Sequence, residues 1–182
     1  MTKALLLVDI QNDYFPGGAM ELVGSEAAAS KAGEIQAQFR ASGLPVFNIQ
    51  HVAMSPSATF FLPETRGVEI HSSVAPVDGE PVVVKHFPNS FRETGLLETL
   101  RAAEVTDLVV VGMMTHMCID TTVRAANDMG FSVTLVGDAC ATKDLEHGER
   151  KVSAADVQAS YMAAIDGSFA RVVSAAEILS AQ

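Results

Sequence analysis

Residues 107–130, DLVVVGMMTHMCIDTTVRAANDMG, hold an apolar run that ends in glycine, a short turn with one cysteine, and a stretch of helical spacing closed by a second glycine. A continuous Leu/Val run is the pattern of a strand covered on both faces, because a half-covered strand alternates apolar with polar residues. Ile119–Met129 has the three-to-four spacing of an amphipathic helix, and Gly130 stands where a C-terminal cap would fall. Strand, turn and helix are expected here, with Cys118 at the join.

The same unit recurs outward in both directions. Apolar runs at Ala4–Val8, Pro45–Ile49, Pro81–Val84, Ser132–Val136 and Ala170–Val173 read as further buried strands. Between them, Glu26–Ser42, Leu96–Ala103 and Val152–Ile165 read as helices, Ser174–Leu179 as a last one, and Gly43 and Gly167 as caps. Strands alternating with helices predict an α/β fold, a three-layer α-β-α sandwich around a mainly parallel, Rossmann-like six-stranded sheet. Residues 1–182 are expected to form a single domain. Val52–Gly79 has prolines, two glycines and the Phe60–Phe61 pair but no clear period, which fits a lid, a pocket wall or an ordered surface loop.

Of the 182 residues, 48% are apolar, and 22 acids against 12 bases give a formal charge of -10. That charge opposes the cationic surface that nucleic acid or an anionic membrane would need. The opening MTKALLLVDIQ is interrupted by Asp9 before it reaches signal-peptide length, and no run approaches the roughly 18 apolar residues of a membrane span. Two cysteines make no disulfide framework, so a cytoplasmic protein with free thiols and a small-molecule substrate is expected.

In open α/β sheets, ligands sit outside the carboxyl ends of the strands. The polar residues there are Asp9, His51, Lys85, the segment Thr115–Cys118, Asp138 and Cys140. A lone cysteine is more often a small apolar filler. Cys118, however, stands at a helix start, where unpaired amides and the positive dipole end favour the thiolate. Asp9 ends a run whose length implies a buried strand, so its carboxylate needs a partner. Lys85 ends PVVVK in the same way and supplies a cation. Cys140 has no such company and reads as structural, with Asp138 fixing its loop through backbone hydrogen bonds.

Three motifs in order, LLLVDIQNDYFPGG, VVVKHFPNSF and VVVGMMTHMCIDTTVRAANDMGF, resemble those of the isochorismatase-like cysteine hydrolases. That superfamily includes nicotinamidases, N-carbamoylsarcosine amidohydrolase and streptothricin hydrolase. The resemblance implies a Cys118–Asp9–Lys85 triad that cleaves a C–N bond, amide or carbamoyl, through a thioester on Cys118. It also implies a cis peptide between Met113 and Met114, an oxyanion hole from the Met114 and Cys118 N–H groups, and assembly into dimers or larger homo-oligomers. In isochorismatase itself the reaction is cleavage of a vinyl ether.

One departure stands out. Nicotinamidases carry a metal-binding Gln-Asp-x-His pattern after the second strand, and here the stretch is Gln50, His51, Val52, Ala53. Two ligands are missing, so no metal and no cofactor are expected. Phe15, Phe60, Phe61, Asn89, Phe91 and His116 are the candidates to line the substrate pocket. Three other readings compete. An aspartate-nucleophile phosphatase would need Asp-x-Asp, but Gln11 interrupts that pattern. A nucleotide-binding module would need a glycine-rich turn after the first strand. A redox sensor would need only a reactive Cys118.

Overall fold

A computed structural model describes residues 2–180. The first half of the chain runs β1 (Thr2–Val8), α1 (Ser25–Ala41), β2 (Val46–His51), β3 (Val82–Lys85), α2 (Leu96–Ala102) and β4 (Val105–Met113). It continues through α3 (Asp120–Asp128), β5 (Ser132–Ala141), β6 (Leu145–His147), β7 (Arg150–Val152), α4 (Ala154–Ile165), β8 (Arg171–Val173) and α5 (Ala175–Ser180). Six strands form one sheet in the order β3-β2-β1-β4-β5-β8, and every pairing is parallel. Strand order reverses between β1 and β4, which opens a crevice at their carboxyl ends.

The continuous apolar runs are explained by cover on both faces. Leu5, Leu7, Val109 and Val111 pack against Ala28, Ala32, Ile35 and Phe39 of α1 and Ala175 of α5. Their neighbours Ala4, Leu6, Val8, Leu108 and Val110 face the other way, onto Leu96 and Leu100 of α2, Val123 and Ala126 of α3 and Ile165 of α4. Each fully buried Leu or Val contributes about 1.5–3 kcal/mol relative to exposure, so the two central strands anchor the molecule. Edge strand β3 is less covered, with Val82 and Val84 exposed.

Next to the crevice, β4 carries an irregularity between Val110 and Gly112. Gly112 has φ +132, and a Cβ there would overlap the Val8 carbonyl oxygen. Only glycine allows β4 to approach β1 this closely. Gly112→Ala should therefore cost about 3 kcal/mol or more, read from the denaturant midpoint. An unchanged midpoint would show that the strands can part without penalty.

Three local readings of the sequence are corrected. The exposed hairpin β6–β7 falls where no strand was expected, because none of its residues is buried and so no apolar pattern marks it. Helix α4 starts at Ala154 rather than Val152, since the Ser153 hydroxyl accepts from the Asp156 amide and caps it. The helix expected from Ile119 starts at Asp120 and is preceded by a π-helical turn, Thr115–Ile119, in which the Ile119 amide donates to the Met114 carbonyl. Within the irregular 52–79 stretch, short 3-10 turns at Arg66–Val68 and Ser72–Val74 lie against the strand ends. Gln11 Nε2 and Gln50 Nε2 both donate to the Val68 carbonyl, and the His71 amide donates to the Ile10 carbonyl.

Candidate active site

Four strand ends converge on one ammonium group. Asp9 follows β1 at φ +52, a left-handed conformation that turns the chain sharply as it leaves the sheet. Lys85 closes β3 and sits opposite His51, the last residue of β2, in the strand register. Cys118 lies in the π-helical turn after β4. Lys85 Nζ is 2.7 Å from Asp9 Oδ2, 3.2 Å from Cys118 Sγ, 3.1 Å from His51 Nδ1 and 3.1 Å from the Phe87 carbonyl oxygen. Asp9 and Lys85 are 0% exposed and Cys118 4%. A lysine sealed from water with this many acceptors is held as a charge in place.

The electrostatics follow from that seal. Burial pushes the Lys85 ammonium down, but the Asp9 carboxylate and the Cys118 sulfur together outweigh it and leave its pKa above the ordinary value. For Cys118, burial is the largest effect and drives the thiol up; the Asp9 carboxylate adds to this, while Lys85 opposes it. Enclosure therefore works against the ready thiolate expected at a helix start, and the Lys85 charge works for it. An Asp9 carboxylate oxygen lies within 4.8 Å of the Cys118 sulfur. Asp9 Oδ2 meets the ammonium as an ion pair, and neither carboxylate oxygen receives a well-aligned hydrogen bond among the described residues.

The structure contains the cis peptide at Met113–Met114. The Met114 N–H donates to no acceptor among the described residues. Asp9, His51 and Cys118 each offer an atom within 4.8 Å of the others, the spacing of a possible metal cluster. The Lys85 ammonium hydrogen-bonds or ion-pairs with all three, so a divalent ion there would lie against a buried cation. Gln50 is turned away to the Val68 carbonyl, and Ala53 has no ligand atom. These residues do not fit a metal.

His51 is neutral for a physical reason. Burial and then the Lys85 charge lower its pKa to about 4. An unfolded imidazole takes a proton near pH 6.5, so between about 6.5 and 4 the unfolded chain binds more protons than the folded one, and stability falls as pH drops through that window. His51→Asn should flatten this slope when denaturant midpoints of both proteins are followed from pH 7 to 4. Identical slopes would mean that His51 titrates alike in both states.

The pocket candidates divide. Phe61 is buried, with its ring 5.8 Å from that of His51 and 4.6 Å from that of Tyr14, and its amide donates to Asp13 Oδ2 at 2.6 Å. Phe60 packs beside it and lines a cavity with His51. Phe15 instead stacks on His71 and lines a separate cavity of about 520 Å³ that none of Asp9, Lys85 and Cys118 borders. Phe91 is corrected to a core residue, packed on Phe131 with Leu96 and Leu100, and Asn89 Oδ1 accepts from the Phe91 amide, which fixes its own loop. His116 Nδ1 is 2.6 Å from Thr142 Oγ1, with its ring edge-on to Tyr161. Asp138 pairs with Lys31 and accepts from the Ala175 amide, and burial pushes the Cys140 thiol up to about 12.

The sequence reading missed Tyr14. It is 1% exposed, and burial followed by the nearby Cys118 and Asp9 raises its phenol well above the usual range. Its place inside the first motif, five residues after Asp9, was the available signal. His51 was read as a strand-end candidate and as a lost metal ligand, with no role given to it, whereas it is a partner of Lys85.

A doubly wound parallel sheet with a polar cluster at its switch point defines an α/β enzyme. The family model for the isochorismatase domain matches residues 3–177. The chain belongs to the isochorismatase family and is a hydrolase. It is 50% identical over 172 residues to the isochorismatase family protein YddQ of Bacillus subtilis, covering 94% of this chain and 96% of that one. A crystal structure described as an isochorismatase hydrolase from Oleispira antarctica superposes with a TM-score of 0.95 at 49% identity, covering 98% and 96% of the two chains. Streptothricin hydrolase of Streptomyces noursei is 36% identical over 143 residues, which are 79% of this chain and 51% of that protein. Among the described residues, no helix is long and apolar enough to cross a membrane.

Proposed function

We propose that this hydrolase cleaves the C–N bond of a small amide or carbamoyl compound, with Cys118 as nucleophile, Asp9 as proton acceptor and donor, and Lys85 as the fixed charge between them. The observation that carries this reading is the single buried ammonium within 2.7 Å of a carboxylate and 3.2 Å of a thiol. Asp9 takes the thiol proton as sulfur attacks the carbonyl carbon, and Lys85 holds the sulfur's developing charge. The carbonyl oxygen becomes an oxyanion, which the free Met114 N–H and the Cys118 N–H receive; one such donor is worth about 3 kcal/mol. Asp9 returns the proton to the departing nitrogen. A water then gives a proton to Asp9 and adds to the thioester carbonyl; the C–S bond breaks, Asp9 returns that proton to the Cys118 sulfur, and the acid leaves. The cytoplasm, where thiols stay reduced, suits such a nucleophile, and a homo-oligomer is the proposed assembly.

A panel of primary amides and carbamoyl compounds, read by ammonia release with EDTA present, tests this reading. At least one member should be turned over at a rate the chelator does not change. Activity that vanishes with EDTA and returns with zinc, iron or manganese would contradict it.

A further inference from the structure

We propose that the cavity of about 210 Å³ beyond His51 is the subsite for the part of the substrate remote from the scissile bond, and that it selects an uncharged carboxamide-like group over a carboxylate. The proposal rests on the amidohydrolase reading. The cavity is lined by His51, Ala53, Met54, Ser55, Ala58, Phe60 and His86, and no Lys, Arg, Asp or Glu borders it. His51 links it to the chemistry, since one of its ring nitrogens lies within 4.8 Å of Cys118 Sγ and of an Asp9 carboxylate oxygen.

The hydrogen bonds of the two histidines fix what the cavity presents. An ammonium only donates, so His51 Nδ1, 3.1 Å from Lys85 Nζ, is the acceptor and Nε2 carries the hydrogen. A carbonyl only accepts, so His86 Nδ1 donates to the Val52 carbonyl at 2.8 Å, and in the neutral ring Nε2 is left as an acceptor. Burial and Lys85 keep His51 neutral near pH 7. The two lining histidines thus carry, when both rings are neutral, one ring N–H and one ring acceptor between them, and Ala53, Ala58 and Phe60 add apolar wall. A carboxamide uses both, with its C=O on His51 Nε2–H and its NH₂ on His86 Nε2. A carboxylate would meet the acceptor with a lone pair and find no cation to offset its lost hydration, because Lys85 is already paired with Asp9.

Succinamide and succinamate test this as a matched pair, since both carry the amide for the triad and differ only in the far group. The readout is protection of Cys118 from iodoacetamide, followed by peptide mass, which needs no turnover. Succinamide should protect at a concentration at least tenfold lower than succinamate. Ala58→Phe, which fills the cavity, and His51→Asn, which withdraws the Nε2 donor while keeping a side-chain acceptor near Lys85, should each erase that preference. Equal or better protection by succinamate, no protection by either compound, or an undiminished preference in the two variants would overturn the subsite. Absence of ammonia release from every amide, with protection intact, would instead overturn the amidohydrolase reading alone.

Discussion

Lys85→Ala should lower turnover by about a thousandfold or more and also destabilise the protein. The two losses have one cause. Asp9 and Lys85 are both fully enclosed and 2.7 Å apart, so removing the ammonium leaves a carboxylate in a dry site with no compensating charge. Breaking a buried pair from one side costs about 3–5 kcal/mol. The same change removes the charge that offsets the developing thiolate, and it leaves the His51 ring nitrogen without its donor. The double variant Asp9→Asn with Lys85→Met separates the effects: most of the stability should return, since no isolated charge remains, while activity stays absent. Lys85→Ala with near-normal turnover would remove the lysine from the mechanism.

Cys118→Ala should lower turnover by about 10⁴-fold or more, the scale on which loss of a nucleophile operates. Little else should change. Sγ contributes to the core beside Ile119 and Val123, and losing one sulfur from a buried site is a small-to-moderate packing loss, so the variant should still fold. Cys140→Ala provides the contrast. That thiol is buried with its sulfur against the Gly112 backbone and has no lysine beside it, so its removal should leave turnover within a fewfold of the parent.

Much of this site can be read in the sequence because polar residues that terminate apolar runs have few places to go. Asp9 and Lys85 each follow a continuous strand pattern, and alternation of strands with helices brings those ends to one side of the sheet. What was not legible at Cys118 was the enclosure that works against the expected thiolate: the sulfur is buried in the cluster that also holds Phe91, Ile119 and Val123, and no local pattern reveals that. The role of His51 depends on its register opposite Lys85, a contact between β2 and β3 that neither strand encodes alone. Phe91 illustrates the reverse case. Its nearness in sequence to the lysine motif pointed to the pocket, but its ring turns to Phe131 under α2. The β6–β7 hairpin left no trace because its strands bury nothing.

The central claim is that Cys118 forms a covalent acyl intermediate. Rapid acid quench of the enzyme with an amide that it turns over, followed by intact-mass and peptide analysis, measures this directly. The account predicts an acyl adduct on the peptide containing Cys118 and none on the peptide containing Cys140, appearing before product and absent from Cys118→Ala. Turnover with no adduct, together with an active Cys118→Ala enzyme, would contradict it and point to chemistry of the vinyl-ether kind, in which the cysteine is not the nucleophile.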